Sequence, residues 1–205
     1  MRLWLVRHGQ STWNLERRLQ GQTHDVPLTE VGHEQASRAG GELAGLGVGP
    51  AARLLSSDLL RAWQTAVVIG QALGIDPTPD ERLREQHYGV LQGRLTADLR
   101  AEPVPEGLDI TEVAWGGGES IEQVYVRVRD LLVELSAVPG DAVLVTHGDT
   151  LRVALTVIDQ LNRGEPTDRP WRDVAWPVVA NGSVTRVMLS TQQHVCVEQD
   201  HSSSP

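Results

Sequence analysis

Short apolar runs that alternate with longer helical segments limit what this chain can fold into. Arg2–Arg7 (RLWLVR) and Ala142–Thr146 (AVLVT) are rich in residues that favour β-strands, and residues 53–57 form a third such run. Helical patterning follows these runs, and we predict helices over residues 29–46, 59–73, 120–138 and 149–161. Strands that alternate with helices favour a largely parallel sheet with both faces covered. The sequence therefore predicts an α/β fold, a three-layer α/β/α sandwich around a mostly parallel sheet.

Boundary signals mark the ends of several predicted elements. Thr29 can cap the first helix, which should end near Gly45, and Gly74 should end the second. Residues 183–189 and 194–198 are predicted edge strands. The first helix is expected to bury an apolar stripe of Val31, Ala36, Ala39 and Leu43.

Length and composition favour one folded unit. The chain has 205 residues, of which 40% are hydrophobic, and this is enough to build a core. We predict a single domain over residues 1–198, with an inserted lid at about 89–118 that is rich in Pro and Gly. Within the lid one short helix is expected near residues 96–101, and residues 199–205 should form a disordered tail.

The charge balance narrows the range of partners. Lys and Arg number 18 against 27 Asp and Glu, so the net charge is −9. An acidic surface repels nucleic acid and anionic lipid, and we expect neither as a partner. The single cysteine, Cys196, excludes an internal disulfide and fits a reducing compartment. With no evident signal peptide or membrane-spanning run, we expect a cytoplasmic protein. The sequence leaves the oligomeric state open, and a homodimer is one of the options.

Three predicted strands run into polar residues of related character. The first ends at Arg7 and His8, the second leads to Arg61 at the start of the next helix, and the third leads to His147. A glycine follows each histidine, which permits a tight turn and close approach by a ligand. Taken singly, each of these residues is more often structural than catalytic. Together they predict two imidazoles and two guanidiniums in one crevice, which is what phosphoryl transfer requires.

These motifs carry a family resemblance that spans most of the chain. The sequence resembles the histidine phosphatase superfamily, which includes the cofactor-dependent phosphoglycerate mutases. The resemblance implies a phosphohistidine intermediate, and in the phosphatases of the family no metal and no organic cofactor. It rests on five blocks in the family's order: residues 7–14 (RHGQSTWN), 56–62 (SSDLLRA), 83–89 (LREQHYG), 117–120 (GGES) and 147–152 (HGDTLR).

The resemblance implies a nucleophile and a proton donor. His8 would be the phosphorylated histidine, so its imidazole must be neutral, with its other nitrogen donating to an acceptor such as a backbone carbonyl. Glu85 would protonate the leaving alkoxide and then act as base for the attacking water. For this role burial or a nearby phosphate must raise the pKa of Glu85, although an acidic residue in a turn usually faces solvent.

The resemblance also implies the groups that bind the transferring phosphoryl group. Arg7, Arg61 and His147 would contact it, and Asn14 would donate a hydrogen bond to it. Arginine presents a planar fork of donors that lysine lacks. His147 would be most useful in its protonated form, as a cation facing the developing negative charge.

Several further residues are weaker candidates for substrate binding. They are Gln22, Thr23, His87 and Gly148, and for the first three a polar loop or simple packing is an equal alternative. Tyr88 and Trp115 are open to the same two interpretations. His24 and Asp25 could suggest a metal, but no third ligand stands at a suitable spacing, so we expect no metal site.

Three functions remain open: a phosphatase, a mutase and a non-catalytic binding protein on the same fold. Mutases of the family carry an arginine where this chain has Gln86, and a lid with paired arginines. Here residues 89–118 contain only Arg94 and Arg100, which are separated, against five acidic residues. We therefore expect a metal-independent phosphomonoesterase of the histidine acid phosphatase type, in the phosphatase branch of the family, acting on a small phosphorylated metabolite.

Overall fold

A five-stranded sheet lies at the centre of the structure, a computed structural model that describes residues 1–167 and 178–190. The strands follow the order β3-β2-β4-β1-β5; the first four are parallel, and β5 pairs antiparallel with β1. The predicted edge strand at residues 183–189 is therefore confirmed as β5. The strands are β1 Arg2–Arg7, β2 Arg53–Ser56, β3 Thr78–Pro79, β4 Ala142–Thr146 and β5 Val184–Met188.

Helices cover both faces of this sheet, because the side chains of each strand alternate between them. On β1, Leu3 and Leu5 pack with α4 and α5, whereas Trp4 and Val6 pack with α2 and α3. The predicted three-layer α/β/α sandwich is confirmed. The helices are α1 Thr12–Leu15, α2 Glu30–Gly45, α3 Leu60–Leu73, α4 Ile121–Ser136 and α5 Gly148–Arg163.

The predicted helix boundaries agree with the caps that the structure shows. The Thr29 hydroxyl accepts a hydrogen bond from the Gly32 amide at the start of α2, and Gly74 ends α3 in the left-handed conformation, with φ of 69°. The buried stripe of α2 differs at one position, because Val31 is 46% exposed. Gly32 and Gly40 are buried in its place, since a residue without a side chain allows α2 to approach its neighbours closely.

The segment of residues 89–118, called here the lid segment, consists of short 3₁₀ turns joined by irregular chain. The predicted helix near residues 96–101 is wrong, because only the 3₁₀ turn Thr96–Asp98 forms there. The sequence analysis also missed the short elements α1 and β3, which are too brief to show a periodic pattern. The predicted strand at 194–198 and the predicted tail at 199–205 lie outside the described residues.

The helices in the described part of the chain offer no membrane span. None of them is both long enough and apolar enough to cross a bilayer.

Candidate active site

The carboxyl ends of the central strands bring the predicted site residues together. Because β1, β2 and β4 are parallel neighbours, the segments that follow them leave from one edge of the sheet. The rings of His8 and His147 lie with their centroids 5.0 Å apart. A cavity of about 150 Å³ opens at this edge and is called here the strand-edge cavity. Its walls include the predicted residues Arg7, His8, Asn14, Arg61 and Glu85, together with Tyr88 and Asp149.

The environment of His8 leaves one nitrogen free for chemistry. The side chain is buried, and Nδ1 lies 2.6 Å from the Gly9 carbonyl oxygen. Because a carbonyl only accepts, Nδ1 carries the proton and Nε2 keeps its lone pair. Burial, together with the charges of Arg61 and Arg7, lowers the pKa of His8 well below its usual value. The imidazole is therefore neutral at physiological pH.

Two guanidiniums, that of the buried Arg61 and that of the partly buried Arg7, provide the positive charge beside His8. Arg61 is 1% exposed and donates from Nη1 to the Thr23 carbonyl at 3.0 Å and from Nη2 to the Gly21 carbonyl at 2.7 Å. Arg7 donates from Nη1 to the Val179 carbonyl. Burial lowers the pKa of Arg7, and that of Arg61 to about 10, so both stay charged at neutral pH. In the described residues neither Nε–H group has a hydrogen-bond partner, which leaves two donors for an anion.

The side-chain amide of Asn14 is oriented by its neighbours. Its Oδ1 accepts from the backbone amide of Ser11 at 3.1 Å and from Asn181 Nδ2 at 3.1 Å. Since the backbone amide can only donate, this end of the side chain must be the oxygen. The NH₂ group of Asn14 therefore remains as a donor at the cavity wall.

His147 differs from the protonated form that the sequence analysis favoured. Its ring is fully buried, and Nε2 lies 2.8 Å from the Ser57 hydroxyl. Burial lowers the pKa of His147 well below its usual value, and the charge of Arg61 lowers it further. The free site therefore holds a neutral His147, because nearby cations and the loss of water both disfavour a second positive charge. Its Nδ1 has no hydrogen-bond partner in the described residues, and the ring is not among those that line the cavity.

Glu85 lies at the N-terminus of α5 rather than in open solvent. Its carboxylate accepts from the amide of Thr150 at 3.1 Å and from the amide of Asp149 at 3.3 Å. Burial raises the pKa of Glu85, and the neighbouring Asp149 raises it further, while the hydrogen bonds from the helix N-terminus lower it. Burial has the larger effect, so the carboxyl group can hold a proton to higher pH than an exposed glutamate does.

Asp149, which was not singled out as a candidate in the sequence, forms part of the site together with Tyr88, which was. One oxygen of Asp149 accepts from the Tyr88 hydroxyl at 2.5 Å, and the other pairs with Arg152. Burial and Asp149 both raise the pKa of Tyr88, so the phenol stays protonated. The block of residues 147–152 contained Asp149, but the sequence could not show that it faces Glu85.

A second network holds the backbone of Glu85 in place. Arg127 on α4 donates to the Glu85 carbonyl at 3.1 Å and to both carboxylate oxygens of Glu119, at 3.0 and 3.1 Å. The side-chain amide of Gln22 donates to the same carbonyl and to Glu119, each at 3.0 Å. The sequence analysis missed Arg127, because a lone arginine on a helix face carries no distinguishing signal.

Of the weaker candidates, Tyr88 lines the strand-edge cavity, whereas Gln22, Thr23, His87 and Gly148 are not among the described residues that line it. Gln22 is engaged with Glu85 and Glu119, and His87 accepts from the Gly89 amide through Nδ1 at 3.1 Å. Gly148 is the buried first residue of α5, where an added Cβ would lie 3.7 Å from the Arg7 guanidinium carbon.

His24 and Asp25 do not form part of a metal-ligand cluster. His24 lies 3.3 Å from the Asp25 carboxylate and 3.9 Å from that of Asp58. Within residues 1–167 and 178–190, no group of three or more His, Cys, Asp and Glu side chains is arranged to hold a metal ion.

Known proteins are similar to this chain in sequence and in fold. The model of the histidine phosphatase superfamily (branch 1) matches residues 3–200. A curated relative, the probable phosphoglycerate mutase GpmB of Salmonella arizonae, is 37% identical over 164 residues, which cover 77% of this chain and 74% of the relative.

Two solved structures are similar over nearly the whole chain. Mycobacterial hydrolase 1 is 32% identical with a TM-score of 0.73, covering 90% of this chain and 87% of its own. A mycobacterial glucosyl-3-phosphoglycerate phosphatase, in complex with VO3, is 34% identical with a TM-score of 0.73, covering 90% of this chain and 91% of its own. The match to the family model and these relatives show that the chain belongs to the histidine phosphatase superfamily.

Proposed function

We propose that this protein is a metal-independent phosphomonoesterase that acts through a phosphohistidine at Nε2 of His8. The observation that carries the proposal is the hydrogen bond from His8 Nδ1 to the Gly9 carbonyl, which leaves Nε2 unprotonated beside the guanidiniums of Arg7 and Arg61. Membership of the superfamily supports phosphatase or mutase-type chemistry. The net charge of −9 disfavours nucleic acid as a partner and so supports a small-molecule substrate.

In the first step, Nε2 of His8 attacks the phosphorus of the bound monoester and the bond to the ester oxygen breaks. The proton of Glu85 passes to the leaving oxygen, so the product leaves as an alcohol. Arg7, Arg61 and the NH₂ group of Asn14 donate to the non-bridging oxygens, on which negative charge is spread in the transition state. A phosphate dianion beside His147 favours its protonated form, which would add a further donor.

In the second step, water attacks the phosphorus of the phosphohistidine. Glu85, now ionised, accepts a proton from this water, and the bond between phosphorus and Nε2 breaks. Inorganic phosphate leaves, and neutral His8 and protonated Glu85 are restored. Both steps use one acid–base group, whose raised pKa suits it to each role in turn.

A mutase is the second candidate, because the curated relative is named a probable phosphoglycerate mutase. Two features of this chain favour hydrolysis. Gln86, which stands where mutases of the family carry an arginine, is buried and donates to the Glu119 carbonyl at 2.8 Å. In the lid segment, Arg100 donates to the carbonyls of Ala97 and Leu99 and so is already engaged. A bisphosphate intermediate would be held by little positive charge there.

Incubation with para-nitrophenyl phosphate and with 3-phosphoglycerate, in EDTA, tests the proposal. We expect release of inorganic phosphate that EDTA does not reduce, and acid-labile phosphate trapped on His8 during turnover. Isomerisation of 3-phosphoglycerate that depends on a bisphosphate primer would instead establish a mutase.

His8→Ala removes the nucleophile, and we expect turnover to fall to background, a loss on the order of 10⁴-fold or more. The matched control is His33→Ala, which removes an exposed histidine on α2 and should leave the rate unchanged. If His8→Ala kept a near-normal rate, the covalent mechanism would be wrong.

A further inference from the structure

A second, larger cavity adjoins the strand-edge cavity. Its volume is about 450 Å³, against about 150 Å³ for the strand-edge cavity, and most of its wall comes from the lid segment. Leu19 and Tyr88 line both cavities, so the two are neighbours that share these side chains. We call the larger one the lid cavity. A group esterified to a phosphate in the strand-edge cavity would extend into it.

The chemistry of the lid cavity differs from that of its neighbour. Its charged lining residues balance, with Arg94 and Arg100 against Asp98 and Glu102. Apolar side chains make up most of the remaining wall, namely Leu19, Leu91, Leu99, Val104, Ile110 and Trp115. Such a wall favours an uncharged, apolar group and gives a second anionic group no net electrostatic gain.

Two polar groups, the Tyr88 hydroxyl at the junction of the cavities and the Arg100 guanidinium in the wall of the lid cavity, are already engaged. The Tyr88 hydroxyl donates to Asp149, so the aromatic ring is what this residue adds to the junction. The Arg100 guanidinium donates to the carbonyls of Ala97 and Leu99. Val104 and Ile110 are 38% and 60% exposed, and this apolar surface would leave water only when a ligand covers it.

From the size of the lid cavity, its adjacency to the strand-edge cavity and its wall chemistry, we infer that the substrate is a phosphate monoester whose alcohol carries an aromatic or extended aliphatic group, which occupies the lid cavity. This inference rests on the proposed function and names its substrate class. A compact polyanion such as 3-phosphoglycerate would fill the strand-edge cavity and leave the apolar walls in water. A volume of about 450 Å³ lies within the range of small-molecule sites, roughly 300–1,000 Å³.

The series ethyl, butyl, hexyl and octyl phosphate tests this inference. Their alkoxides are nearly equal in basicity, so chemistry contributes little to differences among them. Since burial of each methylene changes affinity roughly fourfold, kcat/KM should rise about two-hundredfold over the four methylenes from ethyl to hexyl phosphate. The gain should come from a lower KM with kcat nearly constant, because the apolar group binds equally in the ground and transition states.

Val104→Asp tests whether the alkyl chain binds in the lid cavity. The substitution places a carboxylate in the wall of that cavity, at a partly exposed position. The increase from ethyl to hexyl phosphate should shrink by about tenfold. Val138→Asp is the matched control, since Val138 is also a loop valine, 46% exposed, and lies outside the cavity. Ile110→Asp gives a second test if circular dichroism shows that Val104→Asp is unfolded.

The outcomes separate this inference from the proposed function. Turnover of all four esters with no dependence on chain length would overturn the inference and leave the phosphatase standing. A chain-length dependence that Val104→Asp and Ile110→Asp both left intact would also overturn it, because the apolar group would then bind elsewhere. If neither these esters nor para-nitrophenyl phosphate released phosphate, both would fall together.

Discussion

The strand-edge cavity and the lid segment lie side by side but are built in different ways. In the strand-edge cavity the ionisable side chains are buried or partly buried and are oriented by backbone atoms: His8 by the Gly9 carbonyl, Arg61 by two carbonyls, and Glu85 by the amides that begin α5. The lid segment has 3₁₀ turns of three residues each and leaves apolar side chains such as Val90 and Ile110 exposed.

This difference suggests that the strand-edge cavity serves catalysis and the lid segment serves substrate selectivity. Groups that are fixed before substrate binds stabilise a transition state without reorganising, which is where electrostatic catalysis gains most. Loops on a rigid scaffold tolerate changes of sequence and shape, and are the usual place for substrate selectivity. Under the proposed function, substitutions in the strand-edge cavity should therefore alter kcat, and substitutions in the lid segment should alter KM.

Between the two regions, the largest expected difference in kcat is between substitutions of two arginines, one from each region. Arg61→Lys keeps a positive charge but cannot reach both the Gly21 and Thr23 carbonyls and still present an Nε–H donor. We expect kcat for para-nitrophenyl phosphate to fall about a thousandfold, the loss typical of a donor that stabilises transition-state charge.

Arg100→Lys is the matched control for this prediction. Arg100 is exposed, and the hydrogen bonds of its guanidinium go to nearby carbonyls within the lid segment. Its replacement should change kcat less than about twofold, because Arg100 lines the lid cavity and not the strand-edge cavity, where the phosphoryl group is transferred. Equal losses from Arg61→Lys and Arg100→Lys, in variants with unchanged melting temperature, would show that the two regions do not differ as described.

The strand-edge cavity could be predicted from the sequence to a greater extent than the lid segment. Residues at the ends of parallel strands share one sheet edge, so the convergence of His8, Arg61 and His147 could be expected from motif positions alone. The irregular lid segment gave no periodic signal, and the helix expected near residues 96–101 is a single turn. Local pattern carries no information where no regular element forms.

The directions of side chains and their charge states also could not be predicted from the sequence. Gln22 and His87 stand next to site residues in the chain, but they turn towards Glu119 and Gly89. The neutral state of His147 follows from complete burial beside Arg61, and burial is a property of the folded molecule. Such features depend on contacts between segments that are distant in the sequence. The spacing of residues along the chain does not reveal those contacts.

The next prediction concerns Glu85 and separates proton transfer from binding. Glu85→Gln keeps the shape but removes the proton donor, so hydrolysis of an alkyl phosphate should slow about a hundredfold or more. Nitrophenolate leaves without full protonation, and its ester should lose less than about tenfold. Wild-type turnover of the alkyl ester should fall as pH rises through the raised pKa of Glu85, since only the protonated carboxyl donates. Stopped assays of phosphate release across pH measure both effects.

Equal losses on the two esters would remove Glu85 from the acid role. The pH profile gives an independent check, because the decline at high pH should be absent in Glu85→Gln for the alkyl ester. A decline that persisted in this variant would assign the titration to another group.

The smallest loss of turnover is expected for Arg127, which does not line the strand-edge cavity but donates to the backbone carbonyl of Glu85. Arg127→Lys cannot donate at once to Glu119, to the Arg82 carbonyl and to the Glu85 carbonyl, so the Glu85 carboxyl should lose its alignment. We expect about a tenfold loss on alkyl phosphate and about twofold on the nitrophenyl ester. A general loss of structure would slow both esters alike, so the ratio of the two losses identifies a positioning role. Arg129→Lys, two residues along the same helix, is the control, because Arg129 pairs with Asp130 and should leave that ratio unchanged.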